Sequence, residues 1–179
     1  MKPSNSGNPK VIWLTGLSGA GKSTLAQSLN LSMVQQGASV YVLDGDLLRN
    51  GLNSDLGFDD KSRSENIRRA VEVAKILYEA NVTVIAAFIS PFRKDRDWAR
   101  AQFPTQSFIE IYLDTPIEIC ELRDIKGLYK KARQGLVDHM TGIHSIYEPP
   151  LFPELVMNTA NKTIEACTRE LLTLMSCNY

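Results

Sequence analysis

The stretch Val11-Ile12-Trp13-Leu14-Thr15-Gly16-Leu17-Ser18-Gly19-Ala20-Gly21-Lys22-Ser23-Thr24 decides the fold. Five apolar or β-branched residues read as a buried strand that runs into a glycine loop. The loop has the spacing G-x-x-x-x-G-K-S, and the residues after it recur at helical period. Glycines at these positions let the backbone curl until several N–H groups aim at one point. The helix starting near Lys22 adds the positive end of its dipole. Such a nest binds phosphate. Lys22 is placed to reach the β- and γ-phosphates of ATP, and Ser23 to hold Mg²⁺. The plain alternative is a glycine-rich turn with a chance Lys-Ser, which the strand before it and the helix after it argue against.

Working outward, Leu25, Leu29 and Met33 mark a helix over Lys22–Gln36 that stops at Gly37. A second strand over Val40–Leu43 ends at Asp44-Gly45-Asp46. The residues Asn50 to Arg63 read as a loop, and Ser64–Ala80 as an amphipathic helix. Val82–Phe88 is almost uniformly apolar, as a central parallel strand covered on both faces must be. A short helix carrying Trp98 follows Pro91, and Phe108–Leu113 is a fourth strand. Thr115-Pro116-Ile117-Glu118 predicts a helix start capped by Thr115. Asp124–Pro153 is rich in Gly, Pro, Lys and Arg with little periodicity, which predicts a lid. A fifth strand over Leu155–Thr159 and a helix over Lys162–Met175 close the chain. Strands alternating with helices predict a parallel five-stranded sheet with helices on both faces. The Gly16 loop, the Asp44 turn and Phe88-Ile89-Ser90 then converge at one sheet edge.

Asp44 and Asp46 there could ligand Mg²⁺ through water or orient an attacking hydroxyl as a base; an ordinary Asp-Gly turn is the competing reading. Arg49 and Arg63 suit bidentate anion binding, with a solvated helix face as the alternative. Phe58 is either a base-stacking platform or the anchor of its loop. Ser90 could bind an acceptor or accept a phosphoryl group, and no histidine base stands beside it in sequence. His139 and His144 make a weak metal pair and read as lid residues. Lys126, Lys130, Lys131 and Arg133 make the lid basic.

Composition bounds the rest. The 179 residues suit one domain over 11–179 behind a flexible tail over 1–10. Lys plus Arg balance Asp plus Glu at 20 each, so no global field favours nucleic acid or an anionic membrane. Cys120, Cys167 and Cys177 make an odd set without a C-x-x-C pair, which fits a reducing, cytoplasmic setting. The polar start carries no secretory signal, and the longest apolar run is too short to span a bilayer.

At these residues the chain resembles the adenylylsulfate kinase (APS kinase) family of P-loop kinases. The resemblance spans about Val11 to Thr159. It rests on the phosphate loop, Leu43-Asp44-Gly45-Asp46 with Arg49, Asp55-Leu56-Gly57-Phe58, Arg63 with Glu65-Asn66-Ile67-Arg68-Arg69, and Ile89-Ser90-Pro91. Asp95-Arg96-Asp97, Lys126-Gly127-Leu128-Tyr129-Lys130-Lys131-Ala132-Arg133 and Thr141-Gly142-Ile143 complete it. The resemblance implies a three-layer P-loop NTPase-type α/β sandwich with a lid. It implies transfer of the ATP γ-phosphoryl group to the 3′-hydroxyl of adenosine 5′-phosphosulfate. The competing readings are a kinase of another small alcohol and a nucleotide-binding regulator without turnover.

Carried over, Asp46 acts at the acceptor hydroxyl or Mg²⁺. Arg49, Arg63 and Asn66 bind the phosphosulfate, and Phe58 stacks on the acceptor adenine. Ile89 and Ser90 line that pocket, with Ser90 at a position regarded as a phosphoenzyme site. Lys126 and Leu128 close the lid, Arg123 packs near the ATP adenine, and a homodimer is implied. The chain departs from the family at Ser62, Ile125, His144 and Ile146. It also carries Met140 where a phenylalanine forms the second face of the adenine sandwich.

Overall fold

A computed structural model describes residues 8–177. Residues 1–7 of the expected tail lie outside the described residues.

The strands are β1 (Val11–Thr15), β2 (Val40–Asp44), β3 (Thr83–Ala87), β4 (Phe108–Leu113) and β5 (Leu155–Met157). They form one sheet in the order β2-β3-β1-β4-β5, and each pair is parallel. Val11 sits between Val84 and Phe108, so the strand that feeds the glycine loop is central. The helices are α1 (Lys22–Gln35), α2 (Gly45–Arg49), α3 (Asp60–Glu79), α4 (Arg93–Ala101), α5 (Ile117–Leu122), α6 (Leu128–Arg133) and α7 (Ile164–Cys177).

Strand alternation divides the core into two layers. Ile12 and Leu14 face Leu25, Leu29 and Met33 of α1 and Cys167 and Leu171 of α7. Val11 and Trp13 face Ile67, Ala70, Val71 and Ala74 of α3 and Ala99 of α4. Trp13 is fully buried, with its ring 5.3 Å from Phe88 and 5.7 Å from Phe108. Truncating it to Ala would cost about 3–5 kcal/mol. Apolar cover on both faces is why β1 and β3 read as unbroken apolar runs.

The helix boundaries correct four expectations. The third helix begins at Asp60 rather than Ser64, because the Asp59 carboxylate caps it by accepting the Ser62 amide at 3.0 Å. Asp44 likewise caps α2, where the competing reading was an ordinary Asp-Gly turn. Thr115 does not cap α5, whose start has no side-chain cap; its hydroxyl meets Thr159 Oγ1 at 2.8 Å instead. The lid is not irregular throughout: Asp124 accepts the Leu128 amide at 2.8 Å and the Lys130 amide at 3.1 Å, and α6 follows.

Candidate active site

All five strands point the same way, so the loops after β1, β2 and β3 meet at one edge and wall a cavity of about 960 Å³. The phosphate loop forms its floor. A Cβ at Gly16 would lie 2.7 Å from the Leu113 carbonyl oxygen, and one at Gly19 would lie 2.6 Å from that of Cys120. Both residues also have positive φ, so no side chain fits either place. Gly21 stands at the cap of α1 without a side-chain cap, which leaves the first-turn amides for an anion.

Lys22 is 9% exposed and folds back over the loop. Its Nζ donates to the carbonyls of Gly16 at 2.9 Å and Leu17 at 2.7 Å. Burial pulls its ammonium down to about 8, against the opposing pull of Cys120, Asp44 and Asp46. An incoming triphosphate would add counter-charge and favour the protonated ammonium. Ser18, Gly19, Gly21, Ser23 and Thr24 line the cavity beside it. Gly16, Leu17 and Ala20 do not. The first two contribute carbonyls to Lys22, Leu17 turns toward a second cavity beneath the lid, and Ala20 is buried.

Ser23 Oγ donates to Asp44 Oδ2 at 2.6 Å, so Asp44 is the carboxylate against the Ser23 hydroxyl. The other oxygen of Asp44 accepts the Asp46 amide at 2.9 Å. Asp46 instead reaches across the cavity to an ion pair with Lys126 of the lid. Both side chains of that pair are more than half exposed, so it holds the lid only weakly.

On the other wall, Arg63 is 8% exposed, donates from Nε to the Phe58 carbonyl at 2.8 Å, and reaches the His139 carbonyl through Nη2. The Arg49 guanidinium lies 4.3 Å over the Phe58 ring and donates to the carbonyls of Leu56 and Gly57. Desolvation lowers both guanidiniums, and the charge of Arg49 lowers Arg63 further. Among the described residues neither takes part in an ion pair. Two neighbouring cations facing one cavity without a carboxylate partner suit an anion. Phe58 keeps 56% of its surface exposed beside them. Asn66, Ile89, Leu128 and Met140 complete this wall, with His139 beside Met140.

Ser90 is 2% exposed, with φ at +40°. Its hydroxyl accepts from Trp13 Nε1 at 3.1 Å and donates to Thr15 Oγ1 at 2.9 Å, so its proton is engaged within the protein.

Sequence reasoning missed several residues. Arg123 was foreseen, but its partner Thr159 was not: Arg123 donates to the Thr159 hydroxyl and carbonyl, both at 2.8 Å. Thr159 in turn donates to the Ala20 carbonyl at 2.9 Å, and Thr159, Lys162 and Cys167 wall that end of the cavity. Its place just after a strand, at the ligand-binding edge, was the available signal. Tyr129 of α6 donates to the Ser18 carbonyl at 2.9 Å, tying the lid helix to the phosphate loop. Asn53, fully buried, donates to Asn66 Oδ1 at 3.0 Å and sets the orientation of that amide.

Comparison with known proteins agrees with this geometry. Residues 8–158 match the family described as adenylylsulphate kinase. An adenylyl-sulfate kinase of Aeromonas salmonicida is 52% identical over 172 residues, covering 96% of this chain and 88% of the relative. That of Geotalea daltonii is 51% identical over 168 residues, covering 94% and 83%. The Mycobacterium tuberculosis APS kinase CysC, solved in complex with AMPPNP and APS, superposes with a TM-score of 0.90 at 42% identity, covering 94% of this chain and 98% of that one. With a phosphate loop, an unpaired arginine couple and an exposed aromatic ring around one cavity, the chain belongs to the adenylylsulphate kinase family.

Proposed function

We propose that the cavity holds ATP over the phosphate loop and adenosine 5′-phosphosulfate against Phe58, Arg63 and Asn66, with the two reacting groups in line between them. The activity is that of the family: the γ-phosphoryl group of ATP passes to the 3′-hydroxyl of adenosine 5′-phosphosulfate. The observation that carries the assignment of roles is the pair Arg49 and Arg63, neither in an ion pair among the described residues and both set beside an exposed Phe58. An uncharged alcohol would leave those cations idle, whereas an acceptor with both a base and a phosphosulfate uses all three.

In the transfer, the bond between the β,γ-bridging oxygen and the γ-phosphorus breaks as the 3′-oxygen bonds to that phosphorus. Asp46 takes the 3′-hydroxyl proton, and ADP leaves with the bridging oxygen. Lys22 and the loop amides hold the charge that develops on the phosphates. Ser23 and Asp44 present hard oxygen donors 2.6 Å apart at the loop mouth, and with Asp46 nearby they would hold Mg²⁺. When bound, Mg²⁺ supplies neutralisation of the β- and γ-oxygens. Met140 faces the acceptor base through sulfur, Ile89, Ser90 and Leu128 shape the same wall, and Arg123 packs against the ATP adenine. Residues 124–153 act as the lid of a single domain spanning 11–179, and Lys126 leaves Asp46 for the acceptor as the lid closes.

We place the protein in the cytoplasm as a homodimer, with no nucleic-acid or membrane partner. Cys120 and Cys167 are free thiols, and no described helix is long and apolar enough to cross a membrane. The test compares acceptors at matched MgATP, with Lys22→Ala as the blank. ADP release should require adenosine 5′-phosphosulfate. Equal release with a sugar or an unsulfated nucleoside would overturn the assignment.

A further inference from the structure

A buried polar knot lies behind the acceptor wall, and the roles assigned above do not use it. At its centre is Arg96 of α4, only 1% exposed. Its Nε donates to Glu110 Oε1 at 2.8 Å, Nη1 to the Ser90 carbonyl at 2.5 Å and Nη2 to the Glu148 carbonyl at 2.5 Å. Its guanidinium carbon lies 5.6 Å from the centre of the Tyr147 ring. One planar fork thus joins β4, the acceptor loop and the C-terminal part of the lid.

The same stretch is fastened at further points. The Glu148 amide donates to the Pro91 carbonyl at 2.9 Å, and its carboxylate accepts the Arg93 amide at 2.7 Å. The Tyr147 hydroxyl lies 2.8 Å from Thr15 Oγ1. Thr15 has one proton, which goes to the Ile89 carbonyl at 2.8 Å, and it already accepts from Ser90. Tyr147 must therefore be the donor in its pair. Thr15 immediately precedes the phosphate loop, so the contact runs from the lid root to the loop root.

A buried ion pair is not by itself a device for stability, since well-packed apolar residues of the same volume often do as well. What an arginine offers is a rigid set of donors with fixed directions. Here two of those directions end on backbone carbonyls, that of Ser90 in the cavity wall and that of Glu148 in the C-terminal part of the lid. We propose that Arg96 is a positioning residue that clamps the C-terminal root of the lid to the acceptor loop, and that Tyr147 extends the clamp to the root of the phosphate loop. The part of the lid before Tyr147 then swings, and its closing is registered against the acceptor. This rests on the reading of the acceptor given above.

The test uses Tyr147→Phe, which deletes one hydroxyl, and Arg96→Lys, which keeps the charge and loses the fork. Steady-state kinetics in both substrates are combined with hydrogen exchange followed at the Glu148 amide. For Tyr147→Phe the KM for adenosine 5′-phosphosulfate should rise about 2–10-fold, the worth of one hydrogen bond, with the KM for ATP within about twofold. Arg96→Lys should lower kcat/KM for the acceptor by about 10²-fold, the usual cost of a small misplacement. The Glu148 amide should exchange faster in each variant that folds, while core β1 amides do not. Equal losses toward both substrates, following a fall in Tm, would reduce Arg96 to core filling and overturn the clamp. Unchanged exchange at Glu148 in Tyr147→Phe would overturn it too. If the wild type turned over no adenosine 5′-phosphosulfate, the functional reading would fall, and the exchange measurement would still decide the clamp.

Discussion

On the proposed reading, the two ends of the cavity take anions by different means. At the phosphate loop the work falls to backbone: glycines whose Cβ positions are blocked by carbonyls 2.6–2.7 Å away, an uncapped helix start, and one lysine folded over the top. At the acceptor wall it falls to side chains gathered from distant parts of the chain: Arg49 and Phe58 after β2, Arg63 and Asn66 on α3, and Met140 in the lid. A backbone site holds any triphosphate and tolerates few substitutions. A side-chain site sets which acceptor is taken and can be retuned residue by residue.

The largest effect that would sharpen this contrast is expected at the junction of the two ends. Asp46→Asn should lower kcat by about 10²–10⁴-fold through loss of the base, with nucleotide affinity within about threefold of wild type by calorimetry. A matching loss of ATP binding would assign Asp46 to the nucleotide alone. Lys22→Ala comes next, at about 10²–10³-fold in kcat, the cost of removing one preorganised charge from the developing phosphoryl group. Arg63→Met should split the two sites. The KM for adenosine 5′-phosphosulfate should rise about 10–100-fold, as for a lost charged hydrogen bond, and the KM for ATP should stay put. If both constants moved together, the two ends would not be separable in the way described.

A smaller effect follows from Lys22. Its ammonium sits near 8 in the folded chain, against an ordinary 10.5. Below about 8 it is charged in both folded and unfolded chains. Between about 8 and 10.5 the unfolded chain holds a proton that the folded one has released. Stability from this group therefore rises with pH across that window, while the grip on triphosphate weakens. Calorimetry at about pH 8.5 in buffers of different ionisation enthalpy should show proton uptake when ATP binds. Uptake that persists in Lys22→Ala would assign the proton to another group. The smallest change expected is Met140→Phe, which should tighten acceptor binding about two- to tenfold by adding an aromatic face opposite Phe58. No change would mean that Met140 does not meet the base.

How much could be read beforehand follows the same division. β1 and β4 were legible to the residue, because each is an apolar run ended by a turn, and the phosphate loop was legible because its chemistry lies within eight consecutive residues. Helix starts set by single carboxylates, Asp44 for α2 and Asp59 for α3, were not, since an Asp in a loop has many possible uses. Thr159 meets Ala20 across 139 positions and Tyr129 meets Ser18 across 111, and no local pattern announces contacts of that span. Arg96 belongs with them: on a helix surface it would be one more cation, and only the closed core reveals its three directions.

The central claim is that one cavity brings the terminal phosphate of ATP against the 3′-hydroxyl of an anionic adenosine acceptor. Incubating the protein with magnesium, adenosine 5′-phosphosulfate and ATP labelled in the γ-phosphate tests it directly. The label should appear at the 3′ position of the acceptor, and Arg63→Met should slow its appearance at limiting acceptor concentration. Label that passed only to inorganic phosphate, or stayed in ATP at every acceptor concentration, would contradict the account.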